Sequence, residues 1–282
     1  MKQKVLILGA AGMAGHIITA YLKNTSSYDV ITIARENQLF IPDFQLDVAN
    51  FDELSKVIQQ TQPDFIINCI GILNRDAEDN IDKAILINAY LPHYLETITK
   101  HTSTQLIHIS TDCVFSGTGG NYKESDVKDG KGYYAQSKAL GEVINDKDLT
   151  IRTSIIGPEL KNNGIGLLGW FLKQSGEVRG YTQAIWSGVT TLELAKYIYS
   201  YLQGSRLSGI LHLTNNRPIS KFDLLVIIKK VYQLNAISVV PYADYQSNKS
   251  FINTRVDVNY TVPDYQVMIE ELKNWERQFS KQ

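Results

Sequence analysis

Cysteine is scarce: Cys69 and Cys113 are the only two in 282 residues, and both stand inside apolar, strand-like segments. That excludes a disulfide framework and points to buried thiols in a reducing compartment. Two cysteines without a histidine cluster make a poor zinc site, so no metal is expected. An excess of one charge is missing too, because 28 Lys and Arg against 29 Asp and Glu leave a formal net charge of -1. Such a balance offers nothing to nucleic acid or to an anionic membrane. No apolar run approaches the length of a membrane span. The opening MKQKVLILGAAGM has a basic end and a short apolar stretch, but glycines break it at once and no cleavage site follows. It reads as a first strand, and the protein is expected to be soluble and cytoplasmic.

What is present is ordinary globular material, with 44% hydrophobic and 20% charged residues. At this length a single core stops growing and a second lobe is expected. The first half alternates strand and helix patterns. Strands are expected at 4–8, 30–34, 44–46, 65–70, 106–109 and 149–152, with helices at 13–23, 51–60, 81–100 and 133–145. This alternation predicts right-handed βαβ units and an α/β fold of Rossmann type, a doubly wound parallel sheet. After Gly157 the pattern loosens, with helices expected at 190–202, 220–232 (Ser220 as N-cap) and 264–279, and a strand at 209–213. The expected division is a dinucleotide-binding domain with the catalytic residues over 1–157 and a substrate-binding lobe over 158–282, partly interleaved with the sheet.

Gly9, Gly12 and Gly15 stand in GAAGMAG, after the first strand and at the start of a helix. Gly9 permits a tight turn, Gly12 lets the backbone approach a pyrophosphate, and Gly15 allows close helix–strand packing. The helix N-terminus supplies free N–H groups. Gly9, Ala11, Gly12 and Met13 are therefore expected to cradle a dinucleotide. The spacing GxxGxxG departs from the GxGxxG fingerprint, and a ligand-free small-residue turn is the competing reading. No acid ends the second strand, where it would bind a ribose 2′-hydroxyl. Arg35 stands there instead and suits a 2′-phosphate, which favours NADP(H) with NAD(H) as the alternative. A solvated surface arginine competes with that reading. Asp47 and Val48 would lie near the adenine, and Cys69, Ile70 and Gly71 near the nicotinamide ribose.

Tyr134 and Lys138 sit four residues apart in YYAQSKALGE. On a helix they share a face. An ammonium beneath a phenol lowers the phenol's pKa, which makes the tyrosine a candidate proton donor or acceptor for hydride transfer to or from a carbonyl. Thr111, at the tip of the fifth strand, is placed to hydrogen-bond that carbonyl. A lone YxxxK is weak among 16 tyrosines, but joined to the glycine turn and the strand-end threonine it becomes strong.

With GAAGMAG, INAYLP, STDCVFSG, YKESD, YAQSKALGE and IRTS in this order, the chain resembles the extended short-chain dehydrogenase/reductase superfamily. Its nearest resemblance is to the dTDP-4-dehydrorhamnose reductase-like branch. The resemblance implies Tyr134 as general acid, Lys138 as the residue that tunes it and holds the nicotinamide ribose, and Thr111 as the group orienting a sugar C4 ketone. It implies an NADPH-dependent reductase of a nucleotide-linked 4-keto-6-deoxyhexose that feeds surface polysaccharide. A 4-epimerase and a non-catalytic NADP-binding regulatory subunit are the alternatives. Superfamily members are often dimers, which makes a homodimer a candidate assembly. Dehydratases of the superfamily carry Thr-Asp-Glu at the strand end, and Cys113 replaces that glutamate here. A glutamate linked to magnesium in some relatives corresponds to Ile17, so no metal is carried over. Val114 and Phe115, with Trp186 and Arg255 of the second lobe, are the expected sugar-nucleotide contacts. Packing competes as an account of Trp186, and a surface ion pair as an account of Arg255.

Overall fold

The computed structural model describes residues 2–25, 27–36, 41–161, 164–204 and 207–279. Its centre is a seven-stranded parallel sheet. β1 (Gln3–Leu8), β2 (Tyr28–Ala34), β3 (Phe44–Gln45), β4 (Phe65–Asn68), β5 (Gln105–Ser110) and β6 (Leu149–Arg152) are joined by a seventh strand, Gly209–His212. The spatial order is seventh strand, β6, β5, β4, β1, β2, β3, and every pairing is parallel. The chain reverses direction across the sheet between β1 and β4. In such sheets the crevice at that switch, beyond the carboxyl ends of the strands, takes the ligand.

Both faces of the sheet are covered, which explains why β1 reads as an unbroken apolar run rather than an alternation. Val5 and Ile7 pack on one side with Ile17 and Ile18, while Leu6 and Leu8 pack on the other with Ile33 and Leu54. The first apolar layer continues into the second half of the chain through Ile198, Leu224 and Ile269. Among the described residues no helix is long and apolar enough to cross a membrane.

Two helices differ from the pattern reading, and both differences bear on the site. The long helix expected at 81–100 is α-helical over Ile81–Ala84 and Leu91–Thr99, but widens to a π-helix over Ile85–Tyr90. Pro92 has no N–H to offer the Asn88 carbonyl, so the regular ladder fails there. The helix expected at 133–145 spans only Tyr133–Leu140 and stops at Gly141. A Cβ at Gly141 would fall 1.8 Å from the Asn88 carbonyl oxygen. Glycine at 141 thus lets the two helices touch backbone to backbone.

The second lobe is built on a three-stranded sheet. Gly176–Trp186 pairs in parallel with Ile237–Asn248 and antiparallel with Ile219–Ser220. The helix Lys221–Tyr232 begins where expected, with Ser220 Oγ accepting from the Asp223 N–H at 3.0 Å. A buried polar knot ties this half to the sheet. Arg152 donates to both carboxylate oxygens of Glu142 at 2.7 and 2.9 Å, and to His212 Nε2 at 3.1 Å. Burial alone would raise the Glu142 pKa, but the Arg152 hydrogen bonds and charge, with Lys128, hold it below the usual carboxylate range. Glu124 accepts from Thr254 Oγ1 at 2.6 Å, closing the same region from outside.

Gly141→Ala should drive these helices apart. The expected cost is about 1–3 kcal/mol of unfolding free energy in urea denaturation, and an unchanged midpoint would show that the contact is soft.

Candidate active site

The glycine turn closes by backbone bonds alone. Gly9 and Ala10 donate their N–H groups to the Ile33 carbonyl, each at 3.1 Å, and Gly12 N–H donates to Gly9 O at 2.9 Å. Gly9 has φ of 77°, which an L side chain rarely adopts. A Cβ at Gly15 would sit 2.1 Å from Gly9 O. At Gly12 a Cβ would meet one protein atom, Gly9 O at 3.2 Å, and would otherwise project over the first turn of the helix Met13–Thr25. The missing side chain leaves room for an anion at that helix N-terminus.

A groove runs over the turn in two parts. One, of about 420 Å³, is lined by Gly9, Arg35, Asp47, Val48, Ile70 and Gly71. The other, of about 470 Å³, shares Ile70 and Gly71 and holds Met13, Thr111, Tyr134 and Lys138. Cys69 and Gly12 line the second part, and Ala11 lies in the turn itself. Each residue assigned to the cofactor thus falls on the turn or along one continuous groove, whose shape and helix N-terminus fit a dinucleotide. Arg35 is exposed at the groove, and among the described residues its guanidinium meets the equally exposed Glu36 at 3.5 Å.

Thr111 ends β5 in extended conformation and caps a single 3-10 turn, Asp112–Val114. Its Oγ1 accepts from the Cys113 N–H at 3.1 Å and donates to Asp112 Oδ1 at 3.2 Å. It also lies within hydrogen-bonding reach of the Tyr134 phenol. Glu78 Oε1 accepts from the Tyr134 N–H at 3.1 Å, which satisfies one donor in the first turn of the helix Tyr133–Leu140. The left-handed Gly132 just before it makes room, since a Cβ there would lie 2.7 Å from Glu78 Oε1. Asn88 holds the helix from behind. Its Oδ1 accepts from Ile72 N at 2.8 Å, and its Nδ2 donates to Ile72 O at 2.9 Å and to Ser137 Oγ at 3.0 Å.

The electrostatics differ from the expectation set by the Tyr–Lys spacing. Burial pushes the Tyr134 phenol well above its ordinary value, and Cys113 and Asp112 add to that against the Thr111 hydrogen bond. Lys138 does not offset it, because its Nζ is turned to β5. There it donates to Ile109 O at 2.8 Å and meets His108 Nε2 at 3.3 Å. Burial lowers the Lys138 pKa to about 8 despite Glu142 and Cys69, which favour the cation. The cleft therefore contains a neutral phenol and an amine whose proton is weakly held.

The four expected substrate contacts are not brought to the cleft. Val114 and Phe115 are fully buried, and Phe115 stacks on Tyr122 with centroids 4.2 Å apart. They are apolar residues leaving a strand, and the core claims them. Trp186 is buried among core residues, with Lys221 Nζ 4.7 Å from the ring centroid. Arg255 pairs with Asp257 and donates to the carbonyls of Ser208 and Ile210, at the amino end of the seventh strand. The cleft lies at the opposite, carboxyl end. Conversely, the sequence reading missed Lys221 and Lys249, two second-lobe cations drawn toward Asp112 and Cys113, with Lys249 Nζ 3.5 Å from Cys113 Sγ. It also missed His108, whose signal was a polar residue inside an otherwise apolar strand.

Comparison with known proteins agrees with this geometry. The chain is 28% identical over 253 residues to the spore coat polysaccharide biosynthesis protein SpsK of Bacillus subtilis, covering 88% of this chain and 86% of that one. It is 28% identical over 265 residues to a dTDP-4-dehydrorhamnose reductase of Aggregatibacter actinomycetemcomitans, covering 86% of each. The fold is shared with the dTDP-4-dehydrorhamnose reductase of Bacillus anthracis solved in complex with NADP. There the TM-score is 0.83 at 24% identity, over 98% of this chain and 100% of that one. The model of the RmlD substrate binding domain matches residues 3–252, and the chain belongs to that family.

Proposed function

We propose that the protein is an NADPH-dependent reductase of a nucleotide-diphosphate-linked 4-keto-6-deoxyhexose, acting in deoxysugar and surface-polysaccharide synthesis. The observation that carries this is the meeting of Thr111, Tyr134 and Lys138 in one groove with the glycine turn. The names of the relatives, a reductase and a polysaccharide biosynthesis protein, support it. When bound, NADPH supplies the hydride. Thr111 orients the ketone oxygen, and Tyr134 gives its proton to that oxygen as it becomes an alkoxide. A phenol kept protonated by burial is suited to this direction, since ketone reduction needs an acid and not a base. Lys138 holds the nicotinamide ribose and supplies the positive charge that a departing phenol proton requires. Gly9, Ala11, Gly12 and Met13 receive the pyrophosphate, Asp47 and Val48 flank the adenosine, and Cys69, Ile70 and Gly71 line the nicotinamide side.

On the substrate side, Lys221 and Lys249 make no ion pair with a carboxylate among the described residues. They bring positive charge beside Asp112, where a sugar-linked diphosphate can balance it. Trp186 carries Lys221 on its ring rather than stacking on the nucleotide.

Tyr134→Phe is expected to cut kcat by about 10²–10⁴-fold while leaving NADPH affinity unchanged. The assay follows NADPH absorbance with dTDP-, UDP- and GDP-linked 4-keto-6-deoxyhexoses. Wild-type protein that oxidises no NADPH with any of them, yet interconverts C4 epimers with retained NAD, would be an epimerase. Arg35→Ala should raise the KM for NADPH by about 10–100-fold, the worth of one charge-assisted hydrogen-bond set, and leave that for NADH nearly alone. Equal losses for both coenzymes would remove Arg35 from the 2′-phosphate.

A further inference from the structure

Three buried polar side chains lie in a row behind the groove, from β4 through β5 to the helix Tyr133–Leu140. Asn68, His108 and Lys138 are respectively 0%, 1% and 3% exposed, and Lys138 stands at the wall of the groove. The backbone fixes the first link, because the Ile70 N–H donates to Asn68 Oδ1 at 3.1 Å. The amide nitrogen of Asn68 must then face His108, and it lies 3.2 Å from Nδ1. An amide N–H₂ is a donor only, so Nδ1 has to accept. A neutral imidazole that accepts at Nδ1 carries its hydrogen on Nε2. That N–H is aimed at Lys138 Nζ, 3.3 Å away.

A protonated lysine has no lone pair to receive it. The amine does, and it still donates to Ile109 O at 2.8 Å. The alternative arrangements each press two donors together. Rotating the Asn68 amide sets its N–H₂ against the Ile70 N–H, and moving the imidazole proton to Nδ1 sets that N–H against the amide. A doubly protonated ring is opposed by burial, by Lys138 and by His93 from the helix Leu91–Thr99. The other titratable groups around Lys138 are Cys69 beyond β4, Tyr134 one helical turn before it and Glu142 just after the helix. Glu142 and Cys69 favour the cation, so neither accounts for a loosely held proton.

We infer that His108 is a positioning residue of the reaction: Asn68 locks its ring in the Nε2–H form, and that N–H, facing Lys138 Nζ, sets the proton occupancy of the lysine on which the cofactor depends. The inference rests on the reductase reading for its consequence in turnover, but its geometry concerns only the cofactor side. The lysine then takes up its proton most fully when a ligand's oxygens supply the acceptor that His108 withholds. NADPH binding is accordingly coupled to uptake of a proton at Lys138.

The test is the affinity of the full-length protein for NADPH, measured by fluorescence titration from neutral pH to pH 10. Binding is followed rather than turnover because Lys221, on the substrate side, also has its pKa lowered to about 8. For the wild type, affinity should fall as pH rises through about 8. His108→Gln offers a carbonyl oxygen to the ammonium, and the fall should move up by about one pH unit or more, the worth of one hydrogen bond to a charge. A fall that stays in place while overall affinity drops would reduce His108 to a packing role and overturn the inference, as would wild-type affinity flat across the range. Should His108→Gln not fold, long-range proton–nitrogen correlation spectra of the wild type give a second readout. One histidine should be in the Nε2–H form and resist protonation in acid, and a ring in the Nδ1–H form at this site would overturn the inference. Failure of the reductase reading looks different, with no sugar nucleotide reduced while the NADPH limb still moves in His108→Gln.

Discussion

Lys138 is held against the edge of β5 by the Ile109 carbonyl, in a place almost closed to water. That one contact ties the helix Tyr133–Leu140 to the sheet and decides the character of the site. An amine placed there loses hydration and holds its proton weakly. A phenol one turn away loses hydration too, and keeps its proton. Burial thus pushes each group toward its own neutral form. The site holds a protonated phenol beside an amine whose proton is weakly held.

The surrounding structure can be read as support for that placement. The π-helical turn at Ile85–Tyr90 carries Asn88 to both the Ile72 backbone and Ser137. Gly141 lets the helix Tyr133–Leu140 rest on the same turn, and Glu78 closes its start. The Glu142–Arg152–His212 knot extends the support to β6 and the seventh strand, so the second half of the chain is bound to the helix through buried charge. Breaking one partner in such a knot leaves an uncompensated ion, which costs far more than a surface pair.

Much of the frame was legible in the sequence because its signals are local. The strand-helix alternation foretold the parallel sheet, the glycines foretold the turn, and the spacing of Tyr134 and Lys138 put both in the same groove. The direction of the Tyr134 shift was not legible, since it depends on how deeply the helix sinks, which no spacing encodes. The second lobe hid for a related reason. Its longest strands, Gly176–Trp186 and Ile237–Asn248, pair across about sixty residues, and the inward face of the first is filled by Val178, Gly180, Thr182, Ala184 and Trp186, which do not read as an apolar alternation. Trp186 and Arg255 were chosen by residue type, and tertiary packing used one as core and the other as a brace on the seventh strand. Within YKESD, matched as a family piece, Glu124 accepts from Thr254 and makes a structural tie between the halves.

The central claim is that Tyr134 waits as a neutral phenol because burial disfavours its ionised form. An ultraviolet difference titration of wild-type protein against Tyr134→Phe reports this tyrosine's ionisation directly. The account predicts no tyrosinate signal from Tyr134 below the ordinary phenol value of about 10 in the cofactor-free protein. A tyrosinate band from this residue appearing near neutral pH would contradict it.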